Sequence, residues 1–165
     1  GADDGSLVCC APIGLLHANN LDGLSDDAAA FSRITHADPR CVAACIGATT
    51  AVAWLVRGHF DEAVERSAAA AGSVSDDARV AIERGAARKP AASGDSALDT
   101  LELAFSTLGA ASFEEGLTSS GRAACVAGAL LGARFGKNQI PDRLLAKVKA
   151  APELTSLATS LYGLL

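Results

Sequence analysis

The residues with the most chemistry to offer stand at the start of the chain. Gly1-Ala2-Asp3-Asp4-Gly5-Ser6-Leu7 sets two glycines, two carboxylates and a hydroxyl ahead of an apolar run. Glycines let backbone N–H groups converge on an anion, and the carboxylates suit a ribose or a hard metal ion. The plainer use of the same residues is a solvated turn in which Asp4 or Ser6 caps a helix. The next candidate is His36, within Ile34-Thr35-His36-Ala37-Asp38-Pro39. It precedes an Asp-Pro helix start, so it lies in a loop and can donate to a phosphate or a ribose. His17 and His59 have no partner legible in the sequence. In Ser93 to Leu101, Asp99 and Thr100 fall one turn inside a helix. A site role is open to them, but favourable first-turn charge accounts for Asp99 equally well.

The cysteines are Cys9, Cys10, Cys41, Cys45 and Cys125. Their number is odd and their spacings match no zinc or thioredoxin pattern. Cys41 and Cys45, four apart, share a helix face where two thiolates could hold a metal; small buried hydrophobes are the simpler assignment. Reduced thiols point to a cytoplasmic protein.

The elements that must position these groups are helical. Val42, Cys45, Ile46, Thr49, Val52 and Val56 recur at i, i+3, i+4 and i+7. Asp38 and Pro39 form a good start for that helix and Gly58 its stop. The pattern predicts further helices over Asp61–Ala71, Asp76–Arg88 (capped by Ser75) and around Leu98, Leu101, Phe105 and Leu108. Arg88–Gly94 reads as a loop. Ser112 and Glu115 fit a capping box. Ala124, Gly128, Gly132 and Gly136 repeat every four residues, a face that invites close approach by another helix. Ile140-Pro141-Asp142 opens a short helix and Pro152-Glu153 the last one, with Leu154, Leu157, Leu161 and Leu164 as its expected buried stripe. No segment alternates with period two. The expectation is one all-α domain over 1–165, of about eight or nine short helices.

Composition agrees. Half of the 165 residues are apolar but only 4% are aromatic, and 36 are alanine, the strongest helix former. The sequence pI of about 5.1 argues against a nucleic-acid partner. Ala123–Leu131 is too short to span a membrane and is flanked by Arg122 and Arg134, so no membrane role is expected. No basic stretch followed by an apolar run opens the sequence, so no secretory signal is expected. Methionine is absent and position 1 is Gly, which is expected of a processed chain or of a portion of a longer one.

Taken in order, the segments resemble the ADP-ribosylglycohydrolase family, which includes the dinitrogenase reductase-activating glycohydrolases. The resemblance lies in Gly1 to Leu7 with Ala11-Pro12-Ile13-Gly14-Leu15, in Thr35-His36-Ala37-Asp38-Pro39, and in Ala97 to Phe105. It continues through Ser112-Phe113-Glu114-Glu115-Gly116, Val126 to Gly136 and Ile140-Pro141. It runs from Gly1 to about Tyr162; each motif alone is weak, and the series in this order is specific. It implies an orthogonal multi-helix fold and hydrolysis of the glycosidic bond joining ADP-ribose to a side chain. It also implies a pair of magnesium ions, held by an N-terminal Thr-Asp-Asp-Thr motif and a C-terminal Asp-x-Asp-Thr motif. By resemblance, Gly1, Asp4, Gly5, Ser6 and His36 line the ADP-ribose cleft.

The chain departs from that pattern. Asp4 stands where Asn is usual, which removes a donor and adds negative charge beside a pyrophosphate. Val8-Cys9 stands where Met-Arg is usual. Gly1 follows the place of the first metal motif, so the chain is expected to be the C-terminal part of the fold, its N-terminal half missing or supplied by a partner chain. Leu117 to Cys125, where the second motif belongs, contains no carboxylate. The expectation is a degenerate or incomplete relative without bound magnesium. The alternatives are an ADP-ribose or nucleotide binder without catalysis, and a helical interaction module using the Ala124–Gly136 face. An omitted loop between Ser120 and Gly121 is a further possibility that the sequence leaves open.

Overall fold

In the computed structural model, residues 3–90 and 94–163 are described. Among them there are ten α-helices and no strand. The helices are α1 (Ala11–Leu16), α2 (Leu24–Thr35), α3 (Pro39–Val56), α4 (Phe60–Gly72) and α5 (Asp76–Ala86), followed by α6 (Ala97–Ser106), α7 (Phe113–Ser119), α8 (Ala124–Phe135), α9 (Asp142–Leu145) and α10 (Ala151–Tyr162). Short 3-10 turns at Leu7–Cys9, Thr107–Gly109, Gly121–Ala123 and Lys137–Gln139 connect them.

α3 is the axis of the fold. Its start is the one legible in the sequence: the Asp38 side chain accepts the Arg40 N–H at 2.9 Å, and Pro39 takes the first helical position. Fourteen of its eighteen residues are buried, and α1, α2, α4, α5, α6 and α8 all pack against it. Eighteen residues of this apolarity match a membrane span in length and composition, a longer apolar segment than Ala123–Leu131. Here the apolar surface is covered on all sides by other helices, as for a core helix. Gly58, in the left-handed region at φ 80°, follows its C-terminus as expected.

Small residues set the helix spacing. A Cβ on Gly14 would stand 2.4 Å from the Thr49 carbonyl oxygen, and one on Gly85 would stand 2.3 Å from that of Glu102. α1 therefore lies directly on the α3 backbone, and α5 on that of α6. The large side chains fill what remains: Leu7, Ile82, Leu101, Phe105, Leu108, Leu130 and Leu131 are fully buried.

Several expectations are corrected. The small-residue stripe of α8 faces outward: Ala124 and Gly136 are exposed, and a Cβ on Gly132 would meet nothing within 4 Å. The buried face is instead Ala123, Val126, Ala127, Leu130 and Leu131, because the larger side chains gain more by leaving water. On α10, Leu154 is 54% and Leu157 66% exposed, and Leu164 lies outside the described residues. Leu154 instead borders a groove of about 630 Å³ with Ile140, Leu145 and Val148. α5 ends at Ala86, two residues early, and Arg88 turns to φ 56°. Ser112 accepts from the Glu115 N–H, but the Glu115 carboxylate reaches the Ala111 N–H instead, giving half a capping box. The reciprocal box is Ser96 with Asp99. His17 has partners, the Asp27 carboxylate at 2.8 Å and the Asn20 carbonyl at 3.2 Å. His59 lies edge-on to Trp54 and 3.6 Å from Glu62.

Candidate functional site

Three chain segments converge beside the N-terminal part of α3. The first is the turn Asp3–Ser6 with its 3-10 continuation. The second is His36, in the extended residue between α2 and α3. The third is the start of α6, which a lone antiparallel bridge joins to the first through Asp3 and Ser96. The 3-10 turn Gly121–Ala123 packs on α6, and α8 packs on both Leu7–Cys9 and α6.

Asp3 organises the turn. Its Oδ1 accepts the Gly5 N–H at 3.0 Å and the His36 Nε2–H at 2.6 Å. These two bonds, the Gly5 N–H first, hold the Asp3 carboxyl below the usual carboxylate range. His36 is thereby committed on both ring nitrogens, since Nδ1 stands 2.8 Å from Thr35 Oγ1. The geometry suits the Nε2–H tautomer, with the Thr35 hydroxyl donating to Nδ1. A Cβ on Gly5 would stand 2.9 Å from the His36 ring, so glycine is required for this packing. Asp4 turns the other way and accepts from Thr100 Oγ1 at 2.9 Å.

Beneath the turn runs a buried polar chain. The Cys45 thiol donates to Ser6 Oγ at 3.5 Å, Ser6 and Ser32 hydroxyls stand 3.1 Å apart, and Ser32 Oγ donates to the His36 carbonyl at 3.0 Å. The Cys41 thiol donates to the Asp3 carbonyl at 3.5 Å. The glycine-carboxylate turn and the histidine loop are thus tied together from below by α2 and α3.

Of the residues expected at the site, Asp4, Gly5, Ser6 and His36 are brought together, and Gly1 lies outside the described residues. Ser6 is 4% exposed and serves as an internal strut. Sequence reasoning did not single out Asp3 and Ser32. A carboxylate one residue before Asp4 was visible, but its choice of His36, 33 positions away, has no local signal. Ser32 looks like an ordinary helix serine.

The α7–α8 junction tests the magnesium pair. Thr118, Ser119 and Ser120 hydroxyls donate to the carbonyls of Glu114, Gly116 and Leu117 at 2.6 to 2.9 Å. The chain then passes directly into the next turn, where the Ala123 N–H donates to the Ser120 carbonyl at 3.0 Å. Arg122 follows, its guanidinium 3.4 Å from the Asp95 carboxylate. Hard divalent cations want carboxylate oxygens, and this segment offers neutral hydroxyls turned to their own helix and a fixed positive charge. Among the described residues, no group of three or more His, Cys, Asp or Glu is placed to hold a metal. These residues do not fit the ion pair that the family resemblance implies.

The ADP-ribosylglycohydrolase family model matches residues 1–165, and the chain belongs to that family. A solved structure described as an ADP-ribosylglycohydrolase-related protein complex is similar to it, with a TM-score of 0.87 and 26% identity. The likeness covers 99% of this chain and 61% of that one, so this chain spans about three fifths of the length of that relative. No curated protein matches the chain.

Proposed function

We propose that this chain binds an ADP-ribosyl group at the Asp3–Ser6 turn without cleaving its glycosidic bond through a magnesium pair. The observation that carries the reading is the carboxylate-free α7–α8 junction with Arg122 at its exit. In this reading Arg122 supplies the positive charge that a diphosphate needs. Its partner Asp95 is fully exposed at the side chain and 3.4 Å away, and such surface pairs hold weakly, so the guanidinium can exchange partners. Asp4, drawn toward Thr100, has its charge directed to α6. His36 positions the turn through Asp3. The family reaction, hydrolysis of ADP-ribosylated substrates, is the second reading; it requires metal ligands from beyond these residues. Five free thiols support a reducing, cytoplasmic setting.

Titration calorimetry with ADP-ribose, with and without magnesium chloride, tests this. Binding of equal strength in both buffers is expected, with a loss of about tenfold in Arg122→Gln, since one charge-assisted contact contributes roughly 1.5 kcal/mol or more. Magnesium-dependent release of ADP-ribose from an ADP-ribosylated peptide would overturn it in favour of the hydrolase.

A further inference from the structure

The last helices of the chain have no core of their own. From Lys137 to Leu161 no residue is buried, although apolar residues are frequent there. The 3-10 turn Lys137–Gln139 and the four-residue α9 are short, and they leave one side of α10 uncovered. Between them lies the groove of about 630 Å³, walled by Ile140, Leu145, Val148 and Leu154. Val148 is 43% and Leu154 54% exposed, so both hold apolar surface in water that a ligand would remove.

The polar residues on the lining are Lys137 and Thr155. The Thr155 hydroxyl is already committed: it donates to the Ala151 carbonyl at 2.8 Å and accepts from Lys137 Nζ at 3.3 Å. The Lys137 ammonium has three N–H donors, and among the described residues it forms no ion pair. It is the one charged group on the lining. The local charge has the same sign. The whole chain carries −5, yet residues 137–163 set Lys137, Arg143, Lys147 and Lys149 against Asp142 and Glu153. An apolar wall with an unpaired ammonium complements an apolar chain that ends in an anion. We infer that this groove binds a fatty carboxylate, its acyl chain against Leu145, Val148 and Leu154 and its carboxylate on Lys137.

Size favours this occupant over a protein. The volume falls within the roughly 300–1,000 Å³ of small-molecule sites, which are likewise apolar with a few fixed polar groups. A stable protein partner would need about 800 Å² and about 20–30 residues on this side, whereas nine residues line the groove.

Titration calorimetry of the intact chain with decanoate, below its micelle-forming concentration, tests this. Saturable one-to-one binding is expected, up to about fourfold tighter for each added methylene. Decanol should bind about tenfold more weakly for want of the charge-assisted contact, and decyltrimethylammonium more weakly still. Lys137→Met should bring decanoate down to the affinity of decanol. Leu154→Asp, at an exposed position and checked for folding by circular dichroism, should abolish binding of both. Equal affinity for the three head groups, no saturable binding, or binding that survives Leu154→Asp would overturn the proposal. So would a dimer in sedimentation that decanoate does not dissociate, which would seat a second copy in the groove, or flotation with phosphatidylglycerol vesicles that decanoate does not compete away. None of these residues belongs to the Asp3–Ser6 turn, so decanoate binding and ADP-ribose binding stand or fall separately.

Discussion

Thr100 Oγ1 donates to Asp4 Oδ2 at 2.9 Å, joining residues 96 positions apart. Thr100 is 1% exposed, so its hydroxyl is committed to this contact. With the Asp3–Ser96 bridge, the bond docks the first turn of the chain onto α6. Thr100→Val keeps the shape and removes the donor, leaving a half-buried carboxylate short of a partner. The expected loss is about 2 kcal/mol of stability, measured as a drop in the urea midpoint.

Asp38 accepts from the Arg40 side chain at 2.8 and 3.0 Å as well as from its N–H. The guanidinium first, and the N–H second, draw its pKa down from 3.8 to about 2. A folded value below the unfolded one means stabilisation present above the unfolded pKa and lost as pH falls through the folded one. Asp3, Asp76 and Asp99 are shifted in the same direction. Urea midpoints should therefore fall between about pH 4 and about pH 2. Asp38→Asn, which keeps a capping oxygen, should make that fall shallower.

Gly85 and Gly132 should answer an added methyl with opposite signs. Gly85→Ala drives a Cβ into the Glu102 carbonyl and the Phe105 side chain and should cost about 1–3 kcal/mol. Gly132→Ala, inside α8 with open space at its Cβ, should gain about 0.5–1 kcal/mol from helix propensity. Paired thermal melts would show it; equal shifts would contradict the packing described.

The two serine caps should differ. Ser96→Ala removes a hydroxyl that both accepts the Asp99 N–H and donates to the Asp99 carboxylate, leaving only the backbone N–H of residue 96 on that carboxylate at the start of α6, and should cost about 1–2 kcal/mol. Ser112→Ala removes one accepted N–H, while Glu115 keeps its bond to Ala111, and should cost about half as much. Circular-dichroism melts of the two variants would rank them.

The contrast between caps shows what the sequence makes legible. Asp38-Pro39 is readable because a cap and its fixed φ are local. Ser112 and Glu115 have the right types and spacing, yet Ala111 competes for the carboxylate, a choice that depends on how the chain enters the helix. Periodicity found the apolar stripe of α10 but could not say what covers it, and Leu154 and Leu157 face outward. It likewise found the small-residue face of α8 but not that the opposite face packs. In the candidate cluster, the family resemblance singled out Asp4, Gly5, Ser6 and His36, and the fold sets that turn against the histidine loop. The Asp3–His36 pairing and the Ser32 strut were not legible, since both depend on the tertiary approach of α2 to the chain start.

The close approach of backbones at Gly14 and Gly85 bears on how this chain tolerates sequence drift. Most cores are damaged chiefly by losing volume. With so much of its interior in alanine there is little volume to lose, and truncating substitutions have few large targets beyond Phe105 and the buried leucines. Growth is the greater hazard, because a single methyl at a helix crossing strikes a carbonyl. A mutational scan should therefore show purifying pressure concentrated on the smallest residues, making the glycines rather than the aromatics the guardians of the fold.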